Sequence, residues 1–135
     1  MTLAISVDHN EARLAATVAF ADSGPLASRI FLYHTVRPDF GADPGAAPLA
    51  VLSLAKPCGV VANGVLSLVQ GDGYGDLVLA TGQAVWARWV NGFDALVADG
   101  SVSDDAGSGD FKISGTVGGL LFAGAYVVLG PGSLG

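Results

Sequence analysis

Beyond Pro25 the sequence is a series of short apolar segments separated by Gly, Pro, Asn and Asp, and this pattern constrains the fold more than any other feature. Each segment is long enough for a strand but too short for a helix that buries one face. The predicted strands are Arg29 to His34, Leu49 to Leu54, Val65 to Leu68, Leu77 to Ala80, Val85 to Val90, Ala95 to Ala98, Phe111 to Ser114 and Gly124 to Leu129. Strands of this number and spacing predict two packed sheets, a mainly β sandwich.

The chain has 135 residues, which is the size of a single domain. A chain of this length buries roughly 68% of the surface that its unfolded form exposes, so its core needs neither a disulfide nor a metal. No linker-like tract and no repeat of fixed period divides it. We therefore predict one jelly-roll-like β-sandwich domain over residues 1–135, with an N-terminal strand and helix segment at about 1–24.

The N-terminal segment has a different pattern. Leu3 to Val7 alternates larger apolar residues with small ones, which predicts a short strand. Asp8 is an N-cap residue type and Glu11 follows three positions later, the spacing of a capping box, so a helix is predicted from Asp8 to Ala21. The turn-forming Ser23-Gly24-Pro25 sequence ends it.

One face of this predicted helix is apolar. Leu14, Val18 and Ala21 recur at the spacing that places them on one side of a helix, toward the core. A strand over Ala16 to Phe20 is the alternative for the same segment.

Charge excludes several classes of partner. With 6 basic and 12 acidic residues the formal net charge is −6, and no run of Lys or Arg is present to neutralise phosphates. We expect no nucleic-acid partner and, for the same reason, no anionic membrane partner. The N-terminus lacks a basic segment before an apolar one, so we expect no secretory signal and a mature chain that starts near Met1.

The C-terminal part is uncharged. After Lys112 no charged residue occurs, and Ile113 to Pro131 is close to the length of a bilayer-spanning helix. Glycines divide this stretch into short apolar pieces. That pattern favours two buried strands and a turn over a membrane span.

No constellation of catalytic or metal-binding residues emerges from the sequence. Cys58 is the only cysteine, which excludes an intramolecular disulfide, and it is predicted to be a small buried apolar residue. His9 and His34 lie near no other histidine or cysteine in sequence. We expect no cofactor, no resident metal and no catalytic residue.

Two glycine-rich acidic segments need separate interpretations. Gly71 to Asp76 matches neither a calcium loop nor a phosphate loop and is predicted to be a turn between strands. Asp104, Asp105 and Asp110 lie around Ala106 to Gly109, where they could bind a hard cation or form the solvated end of a hairpin. Both interpretations stay open at this point.

The tryptophans lie on a single predicted strand. Trp86 and Trp89 are three residues apart, so they point to opposite faces, one buried and the other on a surface or interface. Arg88 shares the face of Trp86 and is placed to stack beside it.

Three further aromatic residues fall in predicted turns. Phe40 lies in Arg37 to Gly45, an irregular surface excursion with three turn-forming residue pairs, and Tyr74 and Phe93 lie in other turns. Large exposed apolar side chains are costly unless a partner covers them. Phe40, Tyr74 and Phe93 are therefore candidate interface residues, and we expect a homo-oligomer.

Several segments together resemble a known family. Arg29 to Pro38, which reads RIFLYHTVRP, resembles the "RIYDGTRPA" strand and turn of small virion proteins of tailed phages and prophages, with His34-Thr35 in place of Asp-Gly. Leu49 to Leu54 resembles their "LLATLTL" strand, Gly82 to Arg88 their "GTATWFRI" strand, and Asp99 to Val102 their "DGSVG" turn. The segments run in the same order, over about residues 9 to 130.

The resemblance implies a β-rich structural component of the phage head or neck and transfers no catalytic residue. The leading expectation is a capsid cement, or decoration, protein that binds the major capsid protein lattice and copies of itself. It would lie on the head surface of the virion, after assembly in the host cytoplasm. The alternatives are a neck, tail or fibre component that acts as a binding module, and a lytic hydrolase, which needs a carboxylate pair in a cleft.

Overall fold

A computed structural model describes residues 4–130 and the backbone of 133–134. It contains one helix and eleven strands within this part of the chain. These are α1 (Val7–Ala21), β1 (Arg29–Tyr33), β2 (Ala50–Ala62), β3 (Val65–Gln70), β4 (Asp76–Leu77), β5 (Gly82–Gln83), β6 (Trp86–Val90), β7 (Leu96–Asp104), β8 (Phe111–Ser114), β9 (Leu120–Leu121), β10 (Tyr126–Leu129) and β11 (Ser133–Leu134).

Nine of the strands form one curled sheet, in the order β11-β3-β2-β1-β6-β7-β8-β10-β4, and β5 pairs with β9 separately. Within the nine-stranded sheet β7 and β8 are parallel, and the other pairings are antiparallel. Just after β4, Val78 pairs with Ala50 at the start of β2, so the sheet curls back toward its other end. The prediction of a mainly β chain with one short helix is confirmed, whereas two packed sheets are not.

The inner face of the curled sheet encloses the core. Its largest fully buried members include Trp89, Ile30, Leu52 and Ile113, which come from four different strands. Trp89 and Phe111 meet edge to face, with ring centroids 6.5 Å apart. Burying each such side chain contributes roughly 1.5–3 kcal/mol, so these contacts across strands hold the curl together.

Helix α1 packs against this core through the predicted face. Ala21 is fully buried, and Leu14 and Val18 pack against the core cluster. The helical interpretation is confirmed and the alternative strand over Ala16 to Phe20 is wrong, because these residues lie within α1.

The start of α1 differs from the prediction. Ser6, not Asp8, is the N-cap residue, and its Oγ accepts a hydrogen bond from the His9 N–H at 3.1 Å. Glu11 does not close a capping box with Asp8; its Oε1 accepts from the Gly64 N–H instead. The strand predicted over Leu3 to Val7 is wrong for residues 4–7, since Val7 begins the helix, and its first residue lies outside the described residues.

Two strands are longer than predicted. Strand β2 continues beyond Leu54, because a shift in its register with β3 between Leu54 and Gly59 accommodates Pro57, which cannot donate to a ladder. Strand β7 runs through Asp99 to Val102, the segment for which the resemblance to small virion proteins implies a turn. At Gly100 a Cβ would lie 2.8 Å from the Phe111 ring, so this glycine allows a core aromatic to approach a strand rather than forming a turn.

The uncharged C-terminal stretch forms strands, as predicted, but these strands are only partly buried, since Leu120 and Tyr126 are exposed. Its described part, residues 113–130, contains the end of β8 together with β9 and β10. Among the described residues, no helix combines the length and apolarity that crossing a bilayer requires.

Cys58 is fully buried, as predicted, and burial, together with the nearby Asp22 carboxylate, raises the pKa of its thiol to about 12. The cysteine thiolate is the nucleophile that attacks a disulfide reagent and expels the reagent's other half as a thiolate. We therefore predict that the native protein resists a soluble aromatic disulfide reagent at pH 8 and that one thiol reacts after unfolding in urea. The absorbance of the aromatic thiolate that the reagent releases measures the extent of the reaction. Equal labelling rates with and without urea would contradict the buried position of Cys58.

Candidate functional site

The three aromatic residues predicted at an interface are all exposed, and each lies on its own loop. Phe40 is in the β1–β2 connection, Tyr74 in the β3–β4 turn and Phe93 in the β6–β7 turn, with exposed fractions of 68%, 88% and 69%. The Gly71 to Asp76 segment forms the predicted turn: Asp72 Oδ1 accepts from the Tyr74 N–H at 2.9 Å. The exposure of the three aromatic side chains fits the hypothesis that they lie at an interface, which stays a prediction.

Phe40 lies on an ordered loop. We call Arg37, Pro38, Asp39 and Phe40 the tip; together with Asp99 these residues border a shallow cavity of about 350 Å³. The Ala42 N–H donates to the Asp39 carbonyl at 2.9 Å, directly after the tip. Such local bonds hold the tip in one conformation, so less entropy is lost when it contacts a partner.

An ion pair beneath the loop anchors the tip to the sheet. Arg88 on β6 and Asp99 on β7 are directly paired residues, and Arg88 donates to both carboxylate oxygens, from Nε at 2.8 Å and from Nη2 at 3.0 Å. Their side chains are 12% and 4% exposed. The hydrogen bonds that Arg88 donates to Asp99 raise the pKa of Arg88. Asp99 also accepts from the Gly41 N–H at 3.4 Å, which ties the loop to the pair.

Both tryptophans are buried, so the prediction that one lies on a surface or interface is wrong. Trp89 faces the core, whereas Trp86, on the opposite face, stacks on Tyr33 with centroids 4.6 Å apart. The guanidinium of Arg88 lies over Trp86 at 5.3 Å, as predicted. Trp86 Nε1 donates to Thr35 Oγ1, at the start of the long loop. Burial raises the pKa of Tyr33. The stacked pair of Tyr33 and Trp86 therefore contacts the start of the β1–β2 loop.

A second surface, absent from the sequence predictions, is an apolar groove of about 400 Å³. Its floor is buried and its walls are exposed. We define the groove by its floor of Val78, Leu121 and Val127 and its walls of Val117, Phe122 and Tyr126.

The sequence feature that corresponds to this groove is the uncharged run after Lys112. Its pattern favours buried strands over a membrane span, and neither interpretation predicts an exposed apolar groove. In the structure, β9 exposes Leu120 and buries Leu121, and β10 exposes Tyr126 and buries Val127, so apolar residues remain on the outer face. An uncharged run longer than the core requires is therefore the sign of an apolar surface.

The three clustered carboxylates organise a tight connection. The loop from Asp105 to Asp110 joins the parallel strands β7 and β8, so it is not the end of a hairpin. Asp105 accepts from Ser114 Oγ at 2.8 Å, and Asp110 accepts from the Ser101 N–H at 3.0 Å. A Cβ at Gly109 would lie 2.5 Å from the Ser103 nitrogen, which shows how closely the loop passes the strand.

Asp104 binds three backbone N–H groups. Its Oδ1 accepts from Ala106 at 3.1 Å and Gly107 at 3.0 Å, and its Oδ2 accepts from Gly118 at 2.7 Å. The Gly118 bond, followed by the other two, holds the pKa of Asp104 below its ordinary value of 3.8. Asp104 thus joins the β7–β8 loop to the groove.

We predict that Asp104→Asn destabilises the protein at neutral pH and that the difference from wild type shrinks in acid. A carboxyl group whose pKa is lowered by folding stabilises the protein above its unfolded pKa of about 3.8, and this contribution is lost as pH falls through the lower folded value. Urea midpoints at pH 7 and at about pH 2 measure the change. The control is Asp39→Asn, which removes one exposed negative charge. An Asp104→Asn deficit that is equal at both pH values would contradict the assignment.

The histidines lie apart from these surfaces. His9 is in the first turn of α1 and His34 directly follows β1, and both are exposed. Within the described part of the chain, no group of three or more His, Cys, Asp or Glu side chains is arranged to hold a metal ion.

Comparisons with protein-family models, with curated proteins and with solved structures gave no match.

Proposed function

We propose that this chain is a non-catalytic bacteriophage virion structural protein, a capsid cement protein that binds the major capsid protein lattice and stabilises the head. The observation that carries the proposal is the pairing of a well-packed β core with large apolar side chains exposed on ordered loops, Phe40, Tyr74 and Phe93 above all. Exposed aromatic residues on a rigid support are typical anchors of protein interfaces.

Three further features support this proposal. The formal net charge of −6 disfavours direct contact with packaged DNA, which supports a position outside the shell. The ion pair of Arg88 and Asp99 gives the tip a preorganised shape for a repeated contact with a lattice. The segments that resemble small virion proteins include the β1 strand and the start of the loop that carries the tip.

The finer prediction, a two-sheet jelly-roll-like sandwich, belongs to this proposal. It requires the two halves of the curled sheet to face each other across the core as separate layers. The bridge between Val78, just after β4, and Ala50, at the start of β2, brings the two halves together and supports this arrangement.

Copy number in purified virions tests the proposed role. A cement protein occurs at close to the number of major capsid protein subunits, and quantitative gel densitometry against a purified standard measures the ratio. We expect a ratio near that of the lattice sites. A ratio corresponding to one ring of a few to tens of copies would replace the cement role by a neck, tail or fibre role.

A further inference from the structure

The groove and the tip are separate surfaces with complementary properties. The groove is formed by residues of β9, β10 and their connections, whereas the tip lies on the β1–β2 loop against β7. Since they share no residue, one copy of the chain can use both at once.

The distribution of charge on the chain favours a second copy of the same chain as the occupant of the groove. The chain is acidic overall, so two copies repel each other over most of their surfaces. The groove lies in the stretch after Lys112 that has no charged residue, apart from Val78, which is also apolar. The apolar lining of the groove itself therefore adds no like-charge repulsion when an acidic copy approaches it.

The charged residues around the groove and the tip can also form pairs of opposite sign. At the groove rim, Asp105 binds Ser114 and Asp104 binds the Gly118 N–H, next to Val117. Lys112 lies two residues before Ser114 on the same side of β8. The rim therefore has two anions and one cation.

The tip has one cation and one anion around an apolar centre. Arg37 and Asp39 flank Pro38 and Phe40, and Arg37 belongs to neither of the ion pairs found among residues 4–130. Arg37 can face the rim carboxylates while Asp39 faces Lys112. Phe40 supplies an apolar ring of a size that a 400 Å³ groove admits.

We propose that the tip of one copy inserts Phe40 into the groove of a second copy, in a head-to-tail contact. Such a contact joins two different surfaces, so it propagates into a ring or a chain instead of stopping at a dimer. This inference deepens the proposed function and rests on it in one respect, the expectation that copies of the chain associate in their working state.

Mixing two variants of the full-length chain tests the contact. Phe40→Ser removes the centre of the tip but leaves the groove, and Val117→Asp places a charge in the groove wall but leaves the tip. We expect each variant alone to associate at least about ten-fold more weakly than wild type. An equimolar mixture has one intact tip and one intact groove for each pair, so it should form a 1:1 heterodimer that grows no further.

Mass photometry and light scattering over a concentration series measure the species. Phe20→Ser is the matched control, because Phe20 is an exposed phenylalanine on α1, outside both the tip and the groove, and it should associate like wild type. Arg37→Glu and Tyr126→Ser are second variants of the tip and the groove. Protection of the Cys58 thiol shows that each variant is folded.

The inference is overturned if wild type stays monomeric, if the mixture of folded variants stays monomeric, or if Phe40→Ser associates like wild type. Loss of association in Phe20→Ser would also overturn it. A wild-type monomer that nevertheless reaches lattice stoichiometry in virions would remove this contact but keep the proposed function. A protein that associates through tip and groove but is missing from purified virions would remove the proposed function.

Discussion

Replacing Trp89 by alanine is expected to lower the free energy of unfolding by about 3–5 kcal/mol. Trp89 is 1% exposed, lies in the core cluster and meets Phe111 edge to face. Its Nε1 has no hydrogen-bond partner among the described residues, so the substitution removes packing and leaves no partner unpaired. Because single domains are stable by about 5–15 kcal/mol, this loss is a large part of the total.

Urea unfolding followed by circular dichroism measures the effect, since most of the tryptophan fluorescence would change with the substitution itself. Phe93→Ala is the matched control: Phe93 is exposed on the β6–β7 turn, and its truncation should change stability by no more than about 0.5 kcal/mol. Similar losses for the two variants would show that Trp89 does not hold the curled sheet together.

The second large effect is expected from Asp99→Ala, which leaves the Arg88 guanidinium without its partner. Breaking a buried pair on one side costs about 3–5 kcal/mol, and we expect about 3, because Arg88 is 12% exposed and retains some access to water. The same substitution removes the acceptor of the Gly41 N–H beside the tip. We therefore expect weaker self-association in addition to lower stability.

A double-mutant cycle separates the pair from its surroundings. Replacing both members, as Arg88→Met with Asp99→Leu, removes the buried charge altogether and should be less destabilising than Asp99→Ala alone. Chemical unfolding of wild type, Arg88→Met, Asp99→Leu and the double variant gives the coupling free energy of the pair. Additive losses in the double variant would mean that the two side chains stabilise the protein independently.

The secondary structure was largely predictable from local patterns. The apolar face of α1 and most strand positions follow from the spacing of residues such as Leu14 and Val18, which local periodicity reveals. The extension of β2 past Pro57 and the passage of β7 through Gly100 were not predictable. Both depend on a distant element, a register shift with β3 and the ring of Phe111.

The candidate surfaces were predictable only in part. Phe40 stands out because it lies between turn-forming residues, where an aromatic side chain finds no core to cover it. The groove depends on the curl of the sheet, which brings Val78 beside residues some forty to fifty positions later in the chain, such as Val127. No local pattern encodes that approach, and the same holds for the burial of Trp86 beneath Tyr33.

The stability of filled heads tests the cement role most directly. Packaged DNA pushes outward, so a protein that binds the assembled lattice better than free subunits must shift the equilibrium toward the closed shell. Release of DNA is followed with an intercalating dye during heating, for virions with the protein, without it, and with the Phe40→Ser variant. We predict that release begins at a lower temperature when the protein is absent, and at an intermediate temperature for Phe40→Ser. Equal release temperatures with and without the protein would contradict the cement role.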